Sequence, residues 1–230
     1  MLGWRAVFLL AAAFTAAFVP LLRWRLPLAP PPQPLAYSVA MCSLWNLVRE
    51  QPVLRQASAV GFLGFAAFIS FWTNLTFLLG TPHYHLGTGA AGSFGLLGVA
   101  GVTAASQVGK LADRHGPRVA LTLALALLCA GYALLWGFGD RLAGLIAGVI
   151  VLDTGQQAMQ ISNQIRIFSL SRAARSRINT VYMIVFFLGG AFGSAVSALA
   201  WSRWQWSGVC GFALTMLALA WMCHAFGGVE

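Results

Sequence analysis

Seven long apolar stretches run along this chain, and shorter polar segments separate them. Each is close to the length of about 20 residues that a helix needs to cross a bilayer. The predicted spans are 4–22, 57–79, 90–108, 119–136, 142–166, 178–201 and 208–226. Tryptophans cluster at the span ends, as expected for side chains that anchor helices at the membrane surface. The pattern predicts an all-α integral membrane protein, a polytopic bundle of about seven transmembrane helices.

The composition points to the same class. Hydrophobic residues make up 59% of the 230 residues and charged residues only 8%, whereas a soluble domain carries about 25% charged residues. The net charge of +9 does not indicate a nucleic-acid partner, because the basic residues are spread over the loops and form no single patch. The four cysteines show no C-x-x-C spacing, so neither a disulfide nor a metal site is predicted. The partner that the composition predicts is the lipid bilayer.

The basic residues also predict which side each loop faces. Of the fourteen, only Arg5, Arg141 and Arg203 lie on one side of the predicted spans. The eleven on the other side are Arg23, Arg25, Arg49, Arg55, Lys110, Arg114, Arg118, Arg166, Arg172, Arg175 and Arg177. Because cytoplasmic loops are enriched in Lys and Arg, this asymmetry predicts an N-terminus outside the cell and a C-terminus in the cytoplasm.

A proline-rich segment separates the first span from the rest. It holds five prolines within eight residues, which favours a stiff, extended tether. An Arg-bearing amphipathic stretch at 44–55 follows it. The predicted divisions are a first transmembrane helix at 1–22, a cytoplasmic linker at 23–56 and a six-helix bundle at 57–230.

The loop between the third and fourth spans, GKLADRHGPR, carries the most informative sequence. Gly109 and Gly116 permit tight or positive-φ backbone at its two ends. Asp113 is placed to accept backbone N–H bonds at a helix start, while Arg114 and Arg118 hold the turn at the headgroup surface. The pattern G-x-L-A-D-R-x-G-x-R resembles the signature loop of the major facilitator superfamily of secondary transporters.

The resemblance covers nearly the whole chain. The opening residues 3–5 are similar to the external turn before the sixth helix of the family, and the proline-rich linker is similar to its central loop. Spans two to seven match helices seven to twelve, so the first five helices of the family have no counterpart. The resemblance implies a C-terminal half in a bacterial cytoplasmic (inner) membrane. We expect either a fragment in which Met1 is not the true start, or a half that pairs with a missing N-terminal half or a second copy.

A second segment, 161–183, resembles one poorly characterised bacterial branch of the family. The penultimate helix begins in it and carries Arg175, Arg177, Asn179 and Tyr182. In the family, the signature loop of one half docks against the cytoplasmic end of such a helix in the other half and holds the outward-facing state. The resemblance implies that the loop and the helix start both require partners from a half that would precede Met1.

The fifth span carries a polar stripe. Its members are Asp153, Gln156, Gln157, Gln160, Asn163 and Gln164. At about 100° per residue they occupy an arc of about 120° on one helix face. Because unpaired polar groups are costly in hydrocarbon, the stripe must face either a water-filled cavity or polar groups of another helix. A solute cavity and a hydrogen-bond seam both remain open, and the two can coexist along one helix.

Asp153 is the only acid inside a predicted span. An ionised carboxylate at the bilayer centre costs about 2.5–3.5 kcal/mol, so a buried carboxyl group favours its neutral form and can exchange a proton as water access alternates. The alternative is a fixed acid paired with an arginine of a missing helix. Trp72 and Asn74 lie on the second span, whose position resembles the cavity-lining first helix of the C-terminal bundle. They are candidate contacts for an aromatic or amphipathic solute, and the alternative is a packing surface.

Small residues recur at helical spacing in two other spans. They are Gly92, Gly95, Gly98, Gly101, Ala105 and Gly109 in the third span, and Gly189, Gly193 and Ser197 in the sixth. Because small side chains let helix backbones touch, both spans are predicted to pack closely against neighbouring helices.

No enzyme motif is present, neither G-x-S-x-G, nor H-E-x-x-H, nor a phosphate-binding glycine loop. His83 and His85 form an H-x-H pair without a third ligand, so no metal, cofactor or catalytic residue is predicted. The resemblance implies secondary transport of a small organic solute, proton-coupled and directed outward. Alternating access needs two bundles and this chain supplies one. The alternative function is a non-transporting membrane protein, either a scaffold for a partner or a decayed transporter.

Overall fold

A computed structural model describes residues 4–26, 37–87, 89–98 and 114–227 of the chain. The chain forms two compact units, Met1–Ala40 and Met41–Glu230. Its helices are α1 (Trp4–Arg25), α2 (Tyr37–Glu50), α3 (Pro52–Leu79), α4 (89–98), α5 (Pro117–Phe138), α6 (Leu142–Phe168) and α7 (Arg175–Phe226). Five of them, α1, α3, α5, α6 and α7, are long and apolar enough to cross a membrane. The predicted all-α membrane bundle is confirmed.

Helix α7 combines the predicted sixth and seventh spans. Its 52 residues would extend about 78 Å as one helix, more than twice the hydrocarbon core. The chain turns back at Gln205, where φ is 51° and ψ is −142°. We call 175–204 the first arm of α7 and 206–226 the second arm. Trp206, next to this break, connects it to α5, since its indole Nε1 donates to the Leu135 carbonyl oxygen over 2.9 Å.

The start of α3 differs from the prediction. Pro52 occupies the first turn, where its missing N–H and fixed φ suit a helix start, so α3 begins five residues before the predicted 57. The amphipathic stretch predicted at 44–55 is therefore not one element, because α2 ends at Glu50. The Arg55 guanidinium reaches back across this junction and donates to the Val48 and Arg49 carbonyl oxygens over 3.1 and 2.5 Å.

Close backbone contact joins α3 to the first arm of α7. A side chain added at Gly189 would overlap the backbone of Phe62, and one at Gly193 would overlap the backbone of Ala66. The predicted close approach of the sixth span is confirmed at these two glycines. For the third span the prediction is not tested: an added Cβ at Gly92 or Gly95 of α4 would meet no described atom within 4 Å. Gly101, Ala105 and Gly109 lie outside the described residues.

Four polar side chains connect the helix ends on the Arg-rich side of the bundle. We call Gln56, Thr122, Arg166 and His224 the Gln56 cluster. Gln56 Nε2 donates to the Cys223 and His224 carbonyl oxygens over 2.9 and 3.2 Å, and its Oε1 accepts from the Arg166 guanidinium over 2.5 Å. Thr122 Oγ1 lies 2.8 Å from His224 Nε2. The cluster thereby links the ends of α3, α5, α6 and α7.

Substitution of Gln56 by leucine is expected to lower the free energy of unfolding by about 2 kcal/mol, because it removes hydrogen bonds to a buried charged group and to two helix-end carbonyls. Gln51→Leu is the matched control, since the Gln51 side chain makes no capping hydrogen bond at the start of α3. The thermal midpoint of the purified protein in detergent measures the difference. Equal midpoints for the two variants would show that the cluster does not stabilise the bundle.

Candidate functional site

A cavity of about 360 Å³ lies between α3, α6 and the described end of α4. Helix α6 contributes four polar side chains, Asp153, Gln156, Gln157 and Gln160. Helix α3 contributes Phe65, Phe68, Ile69 and Trp72, and α4 contributes Gly98. The cavity is therefore polar on one wall and aromatic on the facing wall. We call it the α3–α6 cavity.

The apolar face of α6 explains why the polar stripe points into this cavity. Gly155 lies against the α5 backbone, where an added Cβ would stand 2.8 Å from the Leu128 amide nitrogen. Ala158 is fully buried, and Met159 packs over Gly64 of α3. Because the small, apolar face of α6 packs against α5, the face that carries Asp153 is turned toward the cavity.

Asp153 is placed near the middle of α6 and is 5% exposed. Its carboxyl group faces the Trp72 side chain, and a Cβ added at Gly98 would stand 3.4 Å from Asp153 Oδ2. Within the described part of the chain, Asp153 Oδ2 and both amide atoms of Gln156 lack hydrogen-bond partners. Buried polar atoms nearly always have a partner, so these atoms can bind a polar group that enters the cavity.

The structure separates two other predicted contacts from the α3–α6 cavity. Asn74 is fully buried on another face of α3 and donates to the Ser70 carbonyl oxygen over 2.8 Å and to Ser197 Oγ over 2.9 Å. Asn163 is fully buried beside the Tyr182 hydroxyl of α7, without the geometry of a full hydrogen bond. One part of the polar stripe of α6 thus lines the α3–α6 cavity, and another part contacts α7.

Comparison with known families identifies the chain. The model of the Major Facilitator Superfamily matches residues 1–194, which is most of the 230 residues. This chain belongs to the major facilitator superfamily. The family indicated by the signature loop is therefore confirmed. The chain is a multi-pass membrane protein, with five helices of spanning length and composition among the described residues.

Individual curated proteins match over most of this chain. The uncharacterized transporter YgaY of Escherichia coli O157:H7 is 35% identical over 209 residues, which cover 90% of this chain and 53% of that protein. The probable transporter SCO4007 of Streptomyces coelicolor is 33% identical over 224 residues, 97% of this chain and 52% of that protein. The uncharacterized MFS-type transporter YybF of Bacillus subtilis is 21% identical over 161 residues. The chain spans about half the length of the curated relatives that it matches most extensively.

The superfamily signature loop is described only in part. Gly109 and Asp113 lie outside the described residues, and Arg114 is exposed. Gly116 precedes α5 with φ 87° and ψ 153°, a conformation that glycine adopts without strain. Arg118, in the first turn of α5, lines a cavity of about 560 Å³ near the end of α6.

The start of α7 contacts α6. The Arg175 guanidinium donates to the Phe168 carbonyl oxygen over 3.3 Å and lies 5.5 Å from the Phe168 ring centroid. Arg177 and Asn179 are half-buried in the first two turns of α7. Tyr182 is fully buried, and its hydroxyl would stand 3.1 Å from a Cβ added at Gly61. Tyr182 therefore packs inside the bundle, while Arg175 remains exposed at its end.

Of the aromatic wall, only Trp72 was predicted as a solute contact; Phe65 and Phe68 share its helical spacing but were not predicted as contacts. The spacing of the three residues contains the signal, because residues three and four apart share a helix face. In the structure the Phe65 and Phe68 rings stand 6.1 Å apart, and the Phe68 and Trp72 rings 6.3 Å apart. Phe65 also stacks on Phe186 of α7 with centroids 3.9 Å apart, which fixes one edge of the wall.

Proposed function

We propose that this chain forms the C-terminal half of a secondary transporter that exports a small organic solute in exchange for protons. The observation that carries the proposal is the α3–α6 cavity, where four polar side chains of α6 face three aromatic side chains of α3. Membership of the superfamily and relatives named as transporters support it. The relatives' greater length supports a role as one half of the machinery.

The chemistry of the cavity favours an amphipathic solute. The rings of Phe68 and Trp72 offer a surface on which an aromatic or apolar portion can stack. Gln157 and Gln160 offer amide donors and acceptors, and Asp153 offers a carboxyl group. A solute with an apolar ring and one hydrogen-bonding or cationic group would satisfy both walls.

Asp153 is the proposed proton carrier. When the cavity is open to the side with the higher proton concentration, the carboxyl group takes up a proton and becomes neutral. When it is open to the other side, the carboxylate forms and attracts a solute donor or cation. The exchange requires alternate opening of a site near the membrane midplane, which secondary transporters achieve by rocking two bundles against each other.

A second bundle is therefore part of the proposal. It is supplied by an N-terminal half or by a second copy of this chain. The proposed setting is a bacterial cytoplasmic membrane, with the N-terminus outside and the Arg-rich loops and C-terminus in the cytoplasm, as the charge asymmetry supports.

Thiol labelling tests whether the cavity is water-accessible. In a background without Cys42, Cys129, Cys210 and Cys223, single cysteines replace Gln157, Gln160 and Ala158. The first two line the cavity, and Ala158 is fully buried on the opposite face of the same helix. We expect a membrane-impermeant maleimide to label the cysteines at 157 and 160 at least about tenfold faster than the one at 158, because thiol reactivity follows access.

Asn163→Cys sharpens the test because Asn163 belongs to the polar stripe but is buried beside α7. It is expected to label as slowly as Ala158→Cys. If the cysteines at 157 and 160 are as protected as the one at 158, the stripe is a helix contact throughout. That result would overturn the solute cavity and favour a non-transporting scaffold.

A further inference from the structure

A second cavity lies at the end of the bundle opposite the Gln56 cluster. It measures about 340 Å³ and is formed by the segment after α3, the C-terminal end of α5 and the break in α7. Four ring side chains and one carboxylate line it, namely His83, Tyr84, Trp136, Trp206 and Asp140. None of its lining residues is Lys or Arg. We call it the Asp140 cavity.

The rings of the Asp140 cavity are fixed by the end of α5. The Tyr84 hydroxyl donates to the Gly139 carbonyl oxygen over 2.5 Å, and His83 Nε2 lies 2.6 Å from the Asp140 carbonyl oxygen. Trp206 Nε1 donates to the Leu135 carbonyl oxygen over 2.9 Å. Three rings from two separate segments are therefore anchored around one helix terminus.

Asp140 is the only acidic residue among the lining residues of this cavity, and Arg141, which follows it, is exposed and does not line the cavity. The carbonyl groups at the C-terminal end of α5 carry partial negative charge, which favours cations nearby. Asp140 is the residue directly after Gly139, the C-cap of α5. Burial, with a smaller contribution from the Asp140 carboxylate, raises the pKa of Tyr84, so the carboxylate lies close to the ring that α5 anchors.

The lining selects an organic cation over a metal ion. The described residues contain no group of three His, Cys, Asp or Glu side chains that could hold a metal. Aromatic faces attract weakly hydrated cations such as quaternary ammonium groups, and a neighbouring carboxylate adds to that attraction. A compact, strongly hydrated metal ion would lose its water here and gain too few ligands.

We propose that the Asp140 cavity is a binding site for a small quaternary ammonium compound, held by the Trp136 and Trp206 rings and by Asp140. It is separate from the α3–α6 cavity, which shares none of its lining residues. The inference does not depend on the transport function, since it concerns binding to one end of the bundle.

Choline and its neutral isostere 3,3-dimethyl-1-butanol are the probes. Each is titrated into the purified full chain in lipid nanodiscs, and binding is followed by saturation-transfer NMR and calorimetry. Choline is expected to bind and the isostere to bind at least about tenfold more weakly, because only choline has the charge that the rings and carboxylate attract.

Asp140→Asn is the decisive variant, because His83 bonds to the backbone oxygen of residue 140 and this bond remains. We expect it to weaken choline binding by about tenfold, and Trp136→Leu to do the same. Glu50→Gln removes an equal charge from an exposed site on α2, and Trp204→Leu removes an exposed indole outside the cavity. Both controls are expected to leave choline affinity unchanged.

Asp153→Asn distinguishes the two cavities. Choline affinity that survives Asp153→Asn but falls in Asp140→Asn supports the proposed site. Affinity that falls in Asp153→Asn and not in Asp140→Asn assigns choline to the α3–α6 cavity and overturns the proposal, while leaving the transport proposal intact. The proposal is equally overturned if choline does not bind at millimolar concentration, or if the neutral isostere binds as well as choline.

Discussion

Replacement of Gly193 by leucine is expected to separate α3 from the first arm of α7 and to destabilise the bundle by about 3 kcal/mol or more. The Cβ alone would overlap the Ala66 carbonyl group and Cα atom. These are backbone atoms of a rigid helix, so no side-chain rotation can relieve the overlap. The two helices must move apart, and every contact along their seam weakens.

This seam matters because lipid provides no hydrophobic force to bring helices together. Close van der Waals contact and interhelical hydrogen bonds perform that role in membranes. One turn beyond Gly193, Ser197 accepts from Asn74 over 2.9 Å, and Thr73 donates to Ser194 over 3.1 Å. An increased helix separation would lengthen both hydrogen bonds, so the leucine substitution affects packing and polar contacts together.

Gly211→Leu on the second arm is the matched control. It is the same substitution on the same helix, but a Cβ at Gly211 meets no described atom within 4 Å. There leucine is expected to be neutral or to stabilise by about 0.5–1 kcal/mol through its helix propensity. Thermal midpoints and the monodisperse yield after solubilisation measure both variants. Similar behaviour of Gly193→Leu and Gly211→Leu would contradict the close contact between α3 and α7.

The spans could be predicted from the sequence because each depends on local composition. The order and approximate limits of α1, α3, α5, α6 and α7 follow from apolar length, and α7 divides at Gln205, between the predicted spans 178–201 and 208–226. The start of α3 was harder to predict from the sequence. Arg55 looks like a loop residue in the sequence, but it lies in the first turn of α3 and bonds to carbonyl groups of α2.

Candidate site residues were harder to predict than helices. Trp72 and Asn74 were chosen together, but residues two apart on a helix point about 160° away from each other. Trp72 consequently lines the cavity while Asn74 bonds to Ser197. Asn163 occupies the edge of the α6 stripe, and this edge meets Tyr182 of α7. The angular position of each residue on its helix predicts this division. It does not predict which neighbouring helix each side chain meets.

The Gln56 cluster could not be predicted from local patterns. Gln56 and Arg166 bond although 110 residues separate them, and neither residue has a distinctive sequence context. Arg166 counted as a loop charge in the sequence, but it is buried in the last turn of α6. Long-range pairing of this kind depends on which helices become neighbours, and helical periodicity carries no information about that choice.

Asp153→Asn is expected to abolish transport driven by a proton gradient while leaving solute exchange without a gradient. Asparagine keeps the size of the side chain and can donate to and accept from a solute, but it cannot take up or release a proton. Uphill movement should fall by at least about tenfold, because the carboxyl group is the proposed proton-binding site. Exchange of labelled for unlabelled solute requires no net proton movement, so it should continue.

Ethidium is a suitable probe because it combines aromatic rings with a positive charge, which matches the two walls of the α3–α6 cavity.

Transport is measured in inside-out membrane vesicles. The vesicles come from cells that express the gene at its native locus, so they retain whichever second bundle the protein uses. Uptake is measured with an imposed proton gradient, and exchange is measured without one. Glu50→Gln is the control, since it removes an exposed acid at the end of α2 and should leave both rates unchanged.

Asp153→Glu separates the role of charge from the role of shape. It keeps the carboxyl group but moves it by one methylene, so gradient-driven uptake should be partly restored relative to Asp153→Asn. If Asp153 were only a fixed partner of an arginine in the second bundle, Asp153→Asn would impair exchange and driven uptake equally, since the assembly itself would weaken. Undiminished driven uptake in Asp153→Asn would exclude it as the proton carrier. Loss of driven uptake with exchange retained is the result that only proton coupling through Asp153 explains.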